Sequence, residues 1–208
     1  MIKVVYAKVS DFPSETEGLA LSEYRLKKLE KIADVHKRRQ GIAAELLLNY
    51  LIEATFPEHS APFDLYQDEF GKAHLKDIPL FFSISHSGDY SACAVSDKDI
   101  GIDIEAKDTY NENVAKRFFN KEDWVLIEEA ADKKYMFAKL WTIKESALKC
   151  LGTGLRKPLK NVKLLSETLV KIEPEGITKH ILHQYKEGMH LSICSSDELL
   201  NIEVEKFI

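Results

Sequence analysis

Cysteine is scarce in this chain, which counts against a disulfide framework. Cys93, Cys150 and Cys194 are odd in number, far apart and never in a CxxC spacing. The apolar runs around two of them, SACAVS and LSICSS, predict buried, reduced thiols. Long hydrophobic runs are missing as well, and no window approaches the roughly 20 apolar residues of a membrane-spanning helix. The first ten residues, MIKVVYAKVS, read as a short strand without the apolar core and cleavage signal of a secretory peptide. The expectation is therefore a cytoplasmic protein with no membrane partner. Positive charge is not in excess either. The net charge is −5, which gives a general nucleic-acid-binding role no support.

What is there describes a globular chain with room for a sizeable core. Its 208 residues are 45% hydrophobic and 30% charged, enough for one domain or two small lobes. Ile2–Val9 reads as a first strand, rich in β-branched residues. Ser14 and Ser22 are candidate helix N-caps, the second followed by Arg25, Leu26 and Leu29 at helical spacing. From Asp34 a long helix runs on an apolar stripe of Ile42, Leu46, Leu47, Tyr50 and Leu51, and Pro57 stops it. Phe63–Tyr66 is a strand leading into a turn with Gly71 and Lys72, and Leu80–Ile84 is a buried strand ending in Ser85-His86-Ser87-Gly88. Tyr90–Ser96 and Ile100–Glu105 form a hairpin. Asn113–Phe119, a segment capped by Asn120, and Lys133–Leu151 are helical, the last ended by Gly152-Thr153-Gly154. A basic loop, Leu155-Arg156-Lys157-Pro158, precedes strands at Val162–Leu165, Thr178–Tyr185, Met189–Cys194 and Asn201–Ile208. The two halves are broadly alike, without a clean sequence repeat.

Three stretches carry chemistry. In Ile-Gly-Ile-Asp-Ile-Glu, residues 100–105, strand alternation sends Ile100, Ile102 and Ile104 to a core. Asp103 and Glu105 then share the other face beside the bare backbone of Gly101. Two carboxylates on one face repel unless water or a cation intervenes, and Mg²⁺ takes such hard oxygen ligands together with phosphate oxygens. An amphipathic strand with a wet acidic face accounts for the same residues. In the helix Lys133–Leu151, Trp141, Glu145 and Leu148 lie at i, i+4 and i+7, so Glu145 sits on or beside the packed face. A carboxylate there is costly unless a cation or hydrogen bonds compensate, which makes it a candidate third ligand. His86 is either a binding group at a strand exit or a turn histidine, and no GxSxG elbow supports a Ser/His hydrolase. Lys37-Arg38-Arg39 is either a solvated basic face or a phosphate grip.

The ordered blocks FSISHSG, GIDIE and WTIKESALK, with FGK before them and RFFNKEDW between the last two, resemble the 4′-phosphopantetheinyl transferase superfamily in its longer, monomeric Sfp type. The likeness covers roughly residues 38–159. It implies an α+β pseudo-dimer of two similar lobes, each a small antiparallel sheet packed with helices. The lobes are expected at residues 1–100 and 101–208, with coenzyme A in the cleft between them. It also implies the reaction: the phosphopantetheine arm of coenzyme A passes to a serine of an apo acyl or peptidyl carrier protein, releasing adenosine 3′,5′-bisphosphate. Asp103, Glu105 and Glu145 match the family's Mg²⁺ ligands, with Mn²⁺ as a substitute, and Glu145 matches the general base. Whether Glu105 meets the metal directly or through water stays open. Lys149, with Asp103 and Glu145, falls among the catalytic residues. Lys72, Ser85, His86, Lys144 and Lys149 match coenzyme A contacts. Arg39, or Arg38 in its place, matches a basic residue near the nucleotide, and Lys27 is added to these.

Two departures stand out. Asp123 falls where the family often has glutamate, and Ala73 replaces the proline of FGKP. Phe118, Phe119 and Trp124, within 114–124, are either a carrier-docking surface or core aromatics. Two other readings use the same residues: a carrier-protein-binding module without turnover, and a Mg²⁺-dependent phosphohydrolase.

Overall fold

Period-two alternation sets the layers of this molecule. In the computed structural model, which describes residues 1–106, 110–153 and 157–207, strand β1 (Ile2–Lys8) turns Val5 and Ala7 to one side and Val4 and Tyr6 to the other. The side of Val5 and Ala7 packs under the helices, and the side of Val4 and Tyr6 meets a second sheet. β1 pairs antiparallel with β5 (Tyr90–Ser96), which pairs antiparallel with β4 (Phe81–Ser87). The last strand, β11 (Val204–Lys206), returns to pair with β1 in parallel, giving the order β11-β1-β5-β4. The second sheet runs β6-β10-β9-β8-β7, from β6 (Ile100–Glu105), β7 (Val162–Leu164), β8 (Leu169–Ile172), β9 (Ile177–Lys186) and β10 (Met189–Ser195). All of its pairings are antiparallel. A small hairpin of β2 (Leu65–Gln67) and β3 (Ala73–Leu75) stands beside the first sheet.

Each sheet carries one 19-residue helix on its outer face. Helix α2 (Val35–Glu53) is capped by Asp34, whose carboxylate accepts the Lys37 N–H. It packs Ala43, Leu47, Leu48 and Leu51 on Val5, Ala7, Cys93 and Val95. Helix α5 (Lys133–Leu151) is capped by Asp132 and ends at Gly152, whose φ of 81° suits a residue without a side chain. It packs Leu140, Ile143, Ala147 and Leu148 on Val170, Ile172, Ile181 and Cys194. Between the sheets lie Val4, Tyr6, Ala92 and Ala94 against Ile102, Ile104, Leu191 and Ile193. The layers therefore run helix, sheet, sheet, helix. This is the α+β arrangement of two sheets, each with its own helices, and α1 (Glu23–Leu29), α3 (Glu112–Phe118) and α4 (Lys121–Glu129) complete it.

Most expected elements are present with shifted ends. Ser22 caps α1 by accepting the Arg25 N–H, but no helix follows Ser14. The short strand β8 was not expected; its LVKI run is only four residues long and pairs with β7 and β9. The strand expected over 201–208 shrinks to β11. Because β11 belongs to the first sheet, a cut between residues 100 and 101 divides the chain but not the sheets. Gly154, Leu155, Arg156 and Ile208 lie outside the described residues. All three cysteines are buried and free.

Candidate active site

The site begins where α5 crosses β6. A Cβ on Gly101 would fall 1.9 Å from the Ser146 carbonyl oxygen and 2.4 Å from the Cys150 nitrogen. Glycine is therefore what lets the helix lie directly on the strand. Ile100, Ile102 and Ile104 go to the inter-sheet core, as alternation demands. On the opposite face α5 covers Asp103, which is 6% exposed, while Glu105 is half-buried at the cavity's edge. The same crossing brings Glu145 and Lys149, one helical turn apart, over the strand's two carboxylates.

The polar contacts here are short and cross between elements. Lys149 Nζ donates to Asp103 Oδ1 at 2.7 Å and lies 3.4 Å from the Ile84 carbonyl oxygen. Ser85 Oγ donates to the same Asp103 oxygen at 2.8 Å, and Ser87 Oγ donates to Glu105 Oε2 at 2.7 Å. Asp103 Oδ2 is buried and has no hydrogen-bond partner among the described residues. Burial pushes the Glu145 carboxyl up to about 7; the charges of Asp103 and Glu105 add to this, and Lys149 opposes it. Glu105 is also raised, by burial first, with Asp103 adding and the Ser87 hydrogen bond opposing. Desolvation, then the charge of Lys149, holds His86 below the usual imidazole range.

These groups wall a cavity of about 550 Å³, within the range of small-molecule and cofactor sites. Its lining reaches from β6 and α5 across β4 to α1 and the β2–β3 hairpin, with Trp141 and Phe70 among its apolar members. Arg25, Lys28, Lys72 and Lys149 bring four cations to a protein of net charge −5. A cavity lined by four cations and three carboxylates suits a polyphosphate held beside a divalent cation.

Comparison with known proteins gives the chain's family. The profile of the 4′-phosphopantetheinyl transferase superfamily matches residues 99–199, which contain β6 and α5. The 4′-phosphopantetheinyl transferase Sfp of Bacillus subtilis is 30% identical over 171 residues, 78% of this chain and 75% of that protein. The chain belongs to this superfamily. The 4′-phosphopantetheinyl transferase gsp of Aneurinibacillus migulanus is 28% identical over 225 residues, 99% of this chain and 91% of the relative. HetI of Nostoc, also a 4′-phosphopantetheinyl transferase, is 33% identical over 135 residues, covering 59% and 55%.

The transferase brings most of the expected site residues to one place. Asp103, Glu105, Glu145, Lys149, Lys72, Ser85 and His86 all line the cavity. Lys72 Nζ donates to the Lys149 carbonyl at 3.1 Å, tying the hairpin to the end of α5, and desolvation lowers its pKa. Ser85 is 6% exposed, with its hydroxyl committed to Asp103 and to strand β6. It is placed to hold a carboxylate rather than to reach coenzyme A.

Lys144 is a correction. It is wholly buried, pairs with Asp123 at 2.6 Å and donates to the Val162 carbonyl, away from the cavity. Consecutive helical residues do not share a face, so Lys144 and Lys149 cannot flank Glu145 on the same side. Asp123 is occupied in turn: it completes a capping box with Asn120 and holds Lys144, which leaves it no auxiliary metal role.

Arg39 is a second correction. It is half-buried on α2 and absent from the cavity lining, and its Nε has no hydrogen-bond partner among the described residues. Arg25 and Lys28 supply cations instead, with Tyr24 beside them. Arg25 is pinned by Glu45, 3.1 Å from its Nε. Lys27 is taken up by an exposed i, i+4 pair with Glu23. That pairing was the available signal, because it leaves Arg25 and Lys28, three apart, on a different face of α1. Phe119 is buried, and Phe118 and Trp124 pack against the same core, so these aromatics are structural.

Among the described residues, no three His, Cys, Asp or Glu side chains already stand at metal-holding spacing. Two observations nonetheless fit a hard cation: Asp103 Oδ2, orphaned among the described residues, and the three carboxylates Asp103, Glu105 and Glu145 lining one cavity.

Proposed function

We propose that this transferase moves the 4′-phosphopantetheine arm of coenzyme A to a serine hydroxyl of an apo acyl or peptidyl carrier protein. The other product is adenosine 3′,5′-bisphosphate. The observation that carries the reading is the cavity that brings Glu145, Asp103, Glu105 and Lys149 together with Arg25 and Lys28. A carboxylate lining that cavity, as Glu145 does, can take a proton from a hydroxyl. The serine oxygen forms a bond to the phosphorus that carries the pantetheine arm, and its proton passes to Glu145. The bond from that phosphorus to the bridging oxygen breaks. Lys149 faces the charge that develops on the leaving phosphate. Arg25, Lys28 and His86 supply the phosphate contacts.

Asp103, Glu145 and Glu105 would hold a Mg²⁺, or Mn²⁺ in its place. Such an ion neutralises developing phosphate charge when bound. Both sheets and both long helices around the cavity come from one chain, so we propose a working monomer. Its three free, buried thiols fit the reducing cytoplasm.

Mass spectrometry tests the reading. Apo carrier protein incubated with coenzyme A, Mg²⁺ and the transferase is expected to gain one phosphopantetheine arm. Unmodified carrier with intact coenzyme A would indicate a binding module, and coenzyme A cleaved without transfer a phosphohydrolase; either result refutes the proposal.

A further inference from the structure

Strand β4 carries a serine at every second position, Ser83, Ser85 and Ser87, on the face turned toward the second sheet. Both β4 and β6 are edge strands of their sheets. Among the described residues, the N–H groups of Ile102, Ile104 and Ala106 find no strand partner on that side of β6. Ser83 Oγ accepts the Ile102 N–H at 3.0 Å, Ser85 Oγ accepts that of Ile104 at 3.3 Å, and Ser87 Oγ accepts that of Ala106 at 3.1 Å. The sequence offset is 19 at every rung, so the two strands run in parallel with hydroxyls in place of carbonyls.

A hydroxyl has one proton and two lone pairs. Once a lone pair of Ser85 or Ser87 takes the β6 N–H, the proton is free for the adjacent carboxylate. Ser85 spends it on Asp103 Oδ1 and Ser87 on Glu105 Oε2. Bonds of this kind to an ionised acceptor are short and strong. Asp103 Oδ1 also receives Lys149, which leaves Oδ2 as the orphaned oxygen. The rung at Ser83 has no carboxylate, since Gly101 stands at the matching position on β6.

We propose that Ser85 and Ser87 are positioning residues. Through this ladder the first sheet fixes which oxygen of Asp103 and of Glu105 is held by protein and which stays available to a bound cation. This rests on the transferase reading for the identity of the cation's role, but not for the ladder itself. Partners one step behind metal ligands typically change metal affinity or activity by 10–100-fold, and that range is expected here.

The test uses the full chain. Mn²⁺ binding is followed by electron paramagnetic resonance, and amide hydrogen exchange over residues 100–106 by NMR, both without carrier protein. Ser85→Ala and Ser87→Ala are expected to weaken Mn²⁺ binding roughly 10–100-fold and to speed exchange at Ile104 and Ala106 respectively. Ser85→Thr and Ser87→Thr, which keep the hydroxyl, should restore binding. Ser83→Ala should speed exchange at Ile102 while leaving Mn²⁺ affinity within about twofold, because its rung holds no carboxylate.

Wild-type Mn²⁺ affinity in both alanine variants, with faster exchange, would overturn the proposal and reduce the ladder to a structural seam. Failure of the threonine variants to restore binding, in folded protein, would also overturn it. A wild-type protein that transfers nothing, while Ser85→Ala still loses Mn²⁺, would refute the transferase reading and leave the ladder standing.

Discussion

Gly101→Ala is the smallest change that probes how the site is held together. The added methyl would sit 1.9 Å from the Ser146 carbonyl oxygen, where ordinary contact begins at 3.4 Å. Helix α5 must therefore move off β6 by about 1.5 Å at the crossing. The nearest obstacles are backbone atoms of the helix itself, so no side-chain rotation relieves the clash. Glu145 and Lys149 ride on the part of the helix that moves, and Asp103 stays with the strand. The 2.7 Å contact between Lys149 and Asp103 then lengthens beyond hydrogen-bonding distance. A misplacement of about 1 Å can cost on the order of 10²-fold in rate, and overpacking of this kind typically costs about 1–3 kcal/mol. For a chain of this size that is a fall in melting temperature of several degrees, at roughly 2–4 °C per kcal/mol. Transfer to apo carrier protein, timed by mass spectrometry, and a thermal melt measure the two effects on one sample. Gly101→Ala protein with wild-type turnover and melting temperature would refute the claim that the β6–α5 approach sets the site.

Other perturbations separate roles that the sequence runs together. Glu145→Gln should keep coenzyme A binding, read by calorimetry, while transfer disappears; near-normal turnover would remove Glu145 as the base. Lys144→Met leaves Asp123 as a buried charge without its partner, which typically costs about 3–5 kcal/mol. The melting temperature should fall markedly with little change in KM for coenzyme A, whereas a raised KM with an unchanged melt would return Lys144 to the substrate. The Glu145 carboxyl, lifted from its ordinary 4.5 to about 7, holds a proton in the metal-free folded state that the unfolded chain releases between those values. Its contribution to stability is therefore greatest below pH 4.5 and is lost as pH rises to 7. Melting curves of metal-free wild type should fall relative to Glu145→Gln across that window, and Mg²⁺ should recover the difference at pH 7. Parallel curves would contradict the burial and acid–acid repulsion that hold the Glu145 carboxyl up.

Much of this architecture follows from local chemistry. The alternation in Ile100–Glu105, the glycine within it and the apolar stripe of Lys133–Leu151 act within single elements, so strand, helix and the inward tilt of Glu145 could all be read from sequence. Asp34, Ser22 and Asn120 likewise cap their helices through bonds only three residues long. What escaped reading depends on packing between distant segments. Arg25 and Lys28 reach the cavity only because α1 folds against it, and Arg39 points elsewhere on α2. Lys144 was separable in principle, since one residue along a helix is a turn of about 100°, but its partner Asp123 lies on another helix. The serines of β4 alternate visibly, yet nothing in FSISHSG says that a second sheet's edge strand lies beside them.

The most direct measurement is a crystal structure of the transferase with coenzyme A and Mg²⁺. One cation is expected to touch Asp103 Oδ2 and Glu145 together with the pyrophosphate, with Lys149 beside the bridging oxygen and the nucleotide phosphates toward Arg25, Lys28 and His86. Coenzyme A bound outside this cavity, or a cation seated away from Asp103 and Glu145, would contradict this placement.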